Sequence, residues 1–425
     1  MSEVQKLFLV LAVFGILHIP VLAFPNWLVF DETIYITNAH YILDGSSNFN
    51  VGQPPLGKDI LALSILYFQD NMDIGGNKVY SFAWRFPSVI FGILCLFLFY
   101  RIVEKLSVGK RLALFSTMLL SFDNFFFIHS SIGTLDIFFL FFMMLSIDLY
   151  LSNRSKLSAV SSGFALVAKF FSIFGIIIIV CYEFVNLIRR GLWGIKEWIK
   201  FSSKYLMVST LVFVILLIAL DIVSYRNPAD KINYWNPLEH IRAMFDEHSG
   251  LLVTSPKTHF LLGIACNPWY WFLNPTPMHY YITRLDGWWT PMIQSSGTLY
   301  MHIFHYFLQI QYLGTYTLPI VVLGFVSLPY LAYDFYKNRS QASLFFLIWF
   351  GVCYFFWWPL ALAGRIMFFY YFMPSIPAIC YADIKFLNSI VPSNKRTLVI
   401  LGFIMLCFVY FAWFLYPVRL INVIW

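Results

Sequence analysis

Asp31 and Glu32 stand side by side in Phe24-Pro-Asn-Trp-Leu-Val-Phe-Asp-Glu-Thr-Ile-Tyr35, just past an apolar run of membrane-crossing length. Two carboxylates at a membrane-water boundary suit general-base chemistry. Partial desolvation and mutual repulsion raise the proton affinity of at least one of them, so it can take the proton of an incoming hydroxyl. Asp31 also stands where a helix can begin, with Ala39, Ile42 and Leu43 following at helical spacing, so capping is the competing account.

Isolated cations recur further along. In Gln53-Pro-Pro-Leu-Gly-Lys58 the prolines stiffen the backbone before a glycine turn that either presents Lys58 to the membrane surface or simply starts a surface helix. Trp84-Arg85-Phe-Pro-Ser88 puts Arg85 at the mouth of a span, with interfacial snorkelling as the alternative. Asp123, His129 and Asp136 are embedded in an apolar hairpin, where an ionised group costs at least ~2.5–3.5 kcal/mol unless it has a polar cavity or a partner. Asp136 can also cap the next helix. Lys169, in Gly163-Phe-Ala-Leu-Val-Ala-Lys, has no acid near it in sequence and is expected to meet an anion, and Arg365 follows Gly364 among aromatics. Lys58, Arg85, Lys169 and Arg365 are candidates to converge on one phosphate, as anion recognition requires. Gln53, Trp269 and Trp271 are candidate acceptor or sugar contacts, although rings in Asn267-Pro-Trp-Tyr-Trp also suit headgroup anchoring.

The elements that must position these groups are membrane helices. Of 425 residues 60% are hydrophobic, 20% aromatic and only 12% charged, which excludes a soluble globular domain. The expected fold is all-α, a single polytopic unit over 1–425 with about eleven crossings and the first run retained as a helix. Basic residues gather on the short connections, which puts the N-terminus in the cytoplasm and two long loops, 25–85 and 225–313, outside. Short interfacial helices are expected near Thr33–Leu43 and Asp59–Gln69. Lys169 interrupts the apolar run at 157–188 and leaves its division open.

The net charge of +7 is scattered between apolar spans, which excludes a nucleic-acid surface. The six cysteines include no C-x-x-C pair, so neither disulfides nor a thiolate metal site is expected. The chain has no G-x-x-x-x-G-K-[ST], G-x-G-x-x-G or D-x-D, which argues against a nucleotide donor. His240, His248 and His259 lack H-E-x-x-H spacing and read as solvated loop residues, as do His302 and His305; no metal is expected.

In this order the motifs resemble those of the protein O-mannosyltransferase family, and more distantly the aminoarabinose transferases of the same superfamily. Val29-Phe-Asp-Glu32 looks like the family's acidic motif and Gln53-Pro-Pro-Leu-Gly-Lys58 like its H-P-P-L-G-K. Trp84–Ser88 is similar to its R-x-P, and Asp123-Asn124 with His129–Asp136 to its D-N and Q-S-R-x-x-x-L-D. Gly163–Lys169 is similar to its G-x-A-x-x-x-K, Asn267–Trp271 to its P-W-x-W, and Gly364–Tyr371 to its G-R-x-x-F-x-Y-H-Y. The chain departs at Gln53, where the family has histidine, at Ser131, where it has arginine, and at Tyr370-Tyr371, which lacks its histidine.

The resemblance implies an inverting glycosyltransferase that uses a polyprenyl-phosphate sugar, such as dolichyl phosphate mannose, without a cofactor. Asp31 would be the base, with Glu32 and Arg85 orienting it and Asp123, Asp136 and the remaining cations serving the donor. The implied acceptor is a Ser or Thr hydroxyl of an exported protein, in a prokaryotic plasma membrane facing outward or an ER membrane facing the lumen. A glycan or lipid acceptor is the alternative that Ser131 permits. Buried charges such as Asp123, Asp136 and Lys169 also suit a flippase or transporter, although no inverted halves are evident.

Overall fold

The computed structural model describes residues 2–45, 48, 50–71, 73–74, 77–78, 80–106, 109–170, 172–189, 194–225, 232–251, 266–273, 277–289, 294–295, 298–299 and 304–422. His259 and His302 lie outside them, as does the side chain of His305.

The chain enters through α1 (Glu3–Ala23) and crosses at its top to α2 (Glu32–Leu43) and α3 (Leu56–Asn71). Two two-residue strands, β1 (Asp73–Ile74) and β2 (Asn77–Lys78), lead to α4 (Tyr80–Leu106). Then come α5 (Lys110–Ser121), α6 (Asn124–His129), α7 (Asp136–Leu151), α8 (Ser155–Ala168), α9 (Phe174–Arg189) and α10 (Ile195–Ser224). The second long loop holds α11 (Pro237–Ser249), β3 (Met278–Trp289), β4 (Gln294–Ser295), β5 (Thr298–Leu299) and β6 (Phe304–Gly314). The chain ends through α12 (Leu318–Asn338), α13 (Gln341–Phe355), α14 (Trp357–Leu362), α15 (Ile376–Ile390), α16 (Ser393–Tyr410) and β7 (Val418–Asn422).

Among the described residues six helical stretches are long and apolar enough to cross a membrane: α1, α4, α10, α12, 341–362 and 393–415. The remaining runs expected to cross are shorter helices in the structure, and polar residues set their breaks. The apolar run 112–129 splits because Asp123 caps α6 with a 3.0 Å bond from the Phe126 N–H, and its other oxygen accepts from the Thr317 N–H at 3.1 Å. The 157–188 run splits at Lys169, whose extended backbone ends α8. Both charges are tolerated at apolar depth because each has a partner.

Helix contacts are close where side chains are small. A Cβ on Gly163 would come within 2.9 Å of the Ser209 carbonyl and 2.6 Å of the Val212 side chain, so glycine is what lets α8 approach α10. Tyr205 stitches the same pair through Ser158 and Ser162 at 2.7 and 2.9 Å. The core around α4 to α7 is dense with buried phenylalanines, Phe125, Phe126, Phe127 and Phe138 among them.

The all-α expectation is corrected by a three-stranded antiparallel sheet of order β3-β6-β7. Its residues, such as Tyr280-Tyr-Ile-Thr283 and Leu308-Gln-Ile-Gln-Tyr312, are aromatic and β-branched with local alternation, which suits a pleated surface. β7 closes one edge, Tyr306 opposite Asn422 and Ile310 opposite Val418.

Candidate active site

The turn before α2 holds Phe30 in the left-handed region, φ 53°, a conformation that costs a bulky residue on the order of 1–3 kcal/mol. Packing maintains it. Phe30 stacks on Tyr280 of β3 with ring centroids 3.9 Å apart and meets Tyr370 edge-on at 5.6 Å. The kink separates the two adjacent acids. Asp31 takes the N-cap position of α2, yet its side chain makes no capping bond and accepts no hydrogen bond from a described residue. It stays half-buried, with part of its surface accessible. Burial pushes its carboxyl from the ordinary 3.8 up to about 7, opposed by the charge of Lys169 and reinforced by that of Asp136. Such a group is charged or neutral within a unit of physiological pH and has a free face for a proton.

Glu32 turns the other way and is fully buried. It accepts from the Val29 N–H at 2.8 Å, the Gly133 N–H at 2.8 Å, and both Nε and Nη2 of Arg85 at 2.9 and 3.0 Å. Arg85 spends its remaining donors on the carbonyls of Val21, Pro25 and Trp27 at 2.8–3.1 Å. Its guanidinium is thus saturated by protein groups, so its expected role at a phosphate is corrected: Arg85 and Glu32 clamp the loop that carries Asp31.

Lys58 is corrected in the same way. It is fully buried and donates to the Asn50 and Gln53 carbonyls at 2.7 and 2.8 Å, and burial brings its ammonium down to about 8. It fixes the Pro-Pro loop from inside. Asp123, as cap of α6 and acceptor from Thr317, ties α6 to the start of α12. Trp271 is enclosed against Tyr354 and Phe372 with its N–H on the Cys266 carbonyl, and Trp269 packs edge-on to Trp358; neither reaches Asp31.

Three other predicted residues do converge. Lys169 donates to Asp136 at 2.5 Å and lies over the Tyr370 ring at 5.3 Å. Asp136 therefore answers the missing anion of Lys169 and does not cap α7. The charges of both reach Asp31. Arg365 joins this centre through His248, which its Nη2 meets at 3.3 Å and which stacks on Phe170, the residue next to Lys169. Gly364, at φ 85°, makes the turn that delivers Arg365, a backbone state that glycine adopts without strain.

Two histidines complete the picture. His129, at the end of α6, lies 3.6 Å from Asp136 and 3.2 Å from the Tyr280 hydroxyl. His248, expected as a solvated loop residue, is buried and stacks on Phe170 at 5.3 Å. Its Nε2 faces the Gly52 carbonyl at 2.9 Å and its Nδ1 faces Arg365 Nη2 at 3.3 Å. A carbonyl only accepts and a guanidinium only donates, so the proton belongs on Nε2 and the ring is neutral. Burial and the Arg365 charge lower its pKa to about 4, in agreement. His240, on the same face of α11, reaches the Val51 carbonyl at 3.1 Å and Asp221 at 2.6 Å. The pair grips consecutive carbonyls of the first loop. Gln53 accepts from the Phe170 N–H at 3.3 Å and lies 3.3 Å from His248 Nε2. The eight-residue interval between the histidines is a helical-face signal that a search for metal-ligand spacing passes over. Among the described residues no three His, Cys, Asp or Glu side chains converge as metal ligands do.

The arrangement can deprotonate a hydroxyl at Asp31 and stabilise negative charge with Lys169 and Arg365. Residues 6–235 match the profile of a family described as Dolichyl-phosphate-mannose-protein mannosyltransferase. Two curated relatives, polyprenol-phosphate-mannose–protein mannosyltransferases from Mycobacterium tuberculosis strains, are each 26% identical over 134 residues, 30% of this chain and 24% of theirs. The matched segment spans about a quarter of the length of those relatives. Among solved structures, the S. cerevisiae protein O-mannosyltransferase Pmt1-Pmt2 complex bound to the sugar donor superposes with TM-score 0.64 at 11% identity, over 98% of this chain and 90% of that one. ArnT from Cupriavidus metallidurans bound to undecaprenyl phosphate gives 0.58 at 15% identity, over 96% and 64%. At these identities the likeness is one of fold.

Proposed function

Because the chain belongs to the dolichyl-phosphate-mannose-protein mannosyltransferase family, we propose that it transfers a sugar, mannose, from a polyprenyl phosphate to a protein Ser or Thr hydroxyl at the outer membrane face. Asp31 is the base. The acceptor oxygen bonds to the anomeric carbon from the face opposite the phosphate, the bond to the phosphate oxygen breaks, and the proton passes to Asp31. The anomeric configuration inverts. Polyprenyl phosphate leaves with an added negative charge, which Lys169 and Arg365 stabilise; the Lys169 ammonium donates one of its three N–H bonds to Asp136 and remains charged. Glu32 and Arg85 hold the base and His248 holds Arg365.

The observation that carries this reading is the half-buried Asp31 carboxylate, which accepts no hydrogen bond from a described residue and feels the charges of the Lys169–Asp136 pair. Support for the outer face comes from charge and topology. Basic residues crowd the short connections, and β7 lies on the side of the second loop through β6, which fits an odd number of crossings, about eleven, from a cytoplasmic start.

Purified protein in detergent, given polyprenyl-phosphate mannose and a Ser/Thr peptide, should release polyprenyl phosphate, and Asp31→Asn should stop the release. Turnover retained in that variant removes Asp31 as base. A second reading, a glycan or lipid acceptor, draws on Ser131: its hydroxyl is turned onto the Phe127 carbonyl at 2.7 Å and offers no charge where relatives carry arginine. Stimulation by glycan and not by peptide would select it.

A further inference from the structure

The end of the bundle away from Asp31 holds a cavity of about 770 Å3. α5 and α6, together about 27 Å of helix at 1.5 Å per residue, lead from Arg111 in its lining to His129 beside the site. Three cations from three helices line it: Arg111 of α5, Lys385 of α15 and Arg396 of α16. No Asp or Glu is among its lining residues.

These cations are little used by the protein. Arg111 has neither a hydrogen bond nor an ion pair with a described residue and is exposed. Arg396 spends only Nε, on the Val391 carbonyl at 3.3 Å, and Lys385 stands 3.6 Å from Asp334. Asp334 is already satisfied by Ser343 and Asn338, Asp383 accepts from Ser327, and Glu104 pairs with Lys110 at 3.8 Å. The starts of α5, α13 and α16 also open on the cavity, and their N–H ends add partial positive charge. A bias of basic residues toward one membrane side is satisfied anywhere on the connections. It does not require three cations from separate helices to share one concave volume without a carboxylate.

We propose that this cavity binds a phosphate-bearing anion, either the headgroup of an anionic phospholipid in the adjacent leaflet or a soluble phosphate compound. Two guanidinium groups and an ammonium suit phosphate oxygens, and the volume accommodates a headgroup. This site is independent of the transferase chemistry at Asp31.

The test uses the full chain in detergent, stripped of lipid, with binding followed by thermal unfolding and native mass spectrometry. The probes are dioleoylphosphatidylglycerol, dioleoylphosphatidylcholine and inorganic phosphate. Phosphatidylglycerol should bind and raise Tm where phosphatidylcholine does not, and Arg111→Gln with Arg396→Gln should weaken its binding tenfold or more. Lys385→Gln alone should weaken it less, in the same direction. Stabilisation by phosphatidylglycerol alone assigns the lipid source, and stabilisation by inorganic phosphate as well assigns a soluble one. Equal affinity of wild type and double variant for phosphatidylglycerol, or no binding of either anionic probe by wild type, overturns the proposal.

Discussion

Adjacent acids with opposite fates are the centre of the residue-scale argument. Asp31 accepts no hydrogen bond from a described residue and holds its proton up to about pH 7, whereas Glu32 is consumed by Arg85 and two backbone amides. Asp31→Asn should therefore lower turnover by about 10²–10⁴-fold, the usual worth of a positioned base. The native carboxyl holds its proton up to about pH 7 while an unfolded one loses it near 3.8, so its contribution to stability is intact below 3.8 and lost as pH rises through 7. The Asn variant should thus unfold no lower than wild type at pH 8, and wild-type activity should climb with pH through about 7. A pH-rate profile with matched thermal melts checks both. Glu32→Gln has the reverse signature: it leaves the buried Arg85 without its counter-charge, costs about 3–5 kcal/mol, and should appear as lost folded protein in size-exclusion profiles. His248→Phe keeps the stack on Phe170 but removes the acceptor for Arg365, and should weaken donor use about tenfold, read in KM for the lipid-linked sugar. The sequence made Asp31, Asp136, Lys169 and Arg365 stand out because a charge in an apolar run has to be accounted for. It could not separate Lys58 and Arg85 from them, since a cation that binds loop carbonyls and one that binds phosphate have the same local spelling.

At the scale of elements, the long helices are legible as apolar runs, and helix α3 contains the expected helical stretch Asp59–Gln69. The breaks at Asp123 and Lys169 depend on partners far away in the chain, Thr317 and Asp136, which hydropathy does not show. The sheet was hidden for another reason: aromatic density in the second loop suits both headgroup anchoring and strands, and pairing over distance decides between them. α11 carries a further element-scale consequence, as its two histidines and Lys58 hold the Pro-Pro loop from opposite sides. Helix approach is the most testable property here. Gly163→Ala would drive a methyl into Ser209 and Val212, separating α8 from α10, and should destabilise by about 1–3 kcal/mol, measured as a lower melting temperature in detergent.

For the molecule as a whole, the elements around Asp31 hold one another. Phe30 of the first loop, Tyr280 of the second and Tyr370 from the segment before α15 share one aromatic contact beside Asp31, and β7 completes the sheet to which Tyr280 belongs. Ending the chain after Tyr416 would remove β7 and expose an edge of β6. Limited proteolysis should then cut the 278–314 region faster than in the intact chain, with the long spans α4 and α10 still protected. The first helix is tied to distant parts of the chain in the same way: Tyr312 donates to the Phe24 carbonyl at 2.6 Å and Tyr416 to the Leu17 carbonyl at 2.7 Å. Asp31 and Phe30 stand some 250 to 340 residues from Tyr280 and Tyr370, the rings packed beside them, so this wall exists only once distant parts of the chain have met. Folding of this region is therefore non-local, and the surroundings of the carboxylate form as one cooperative unit rather than loop by loop.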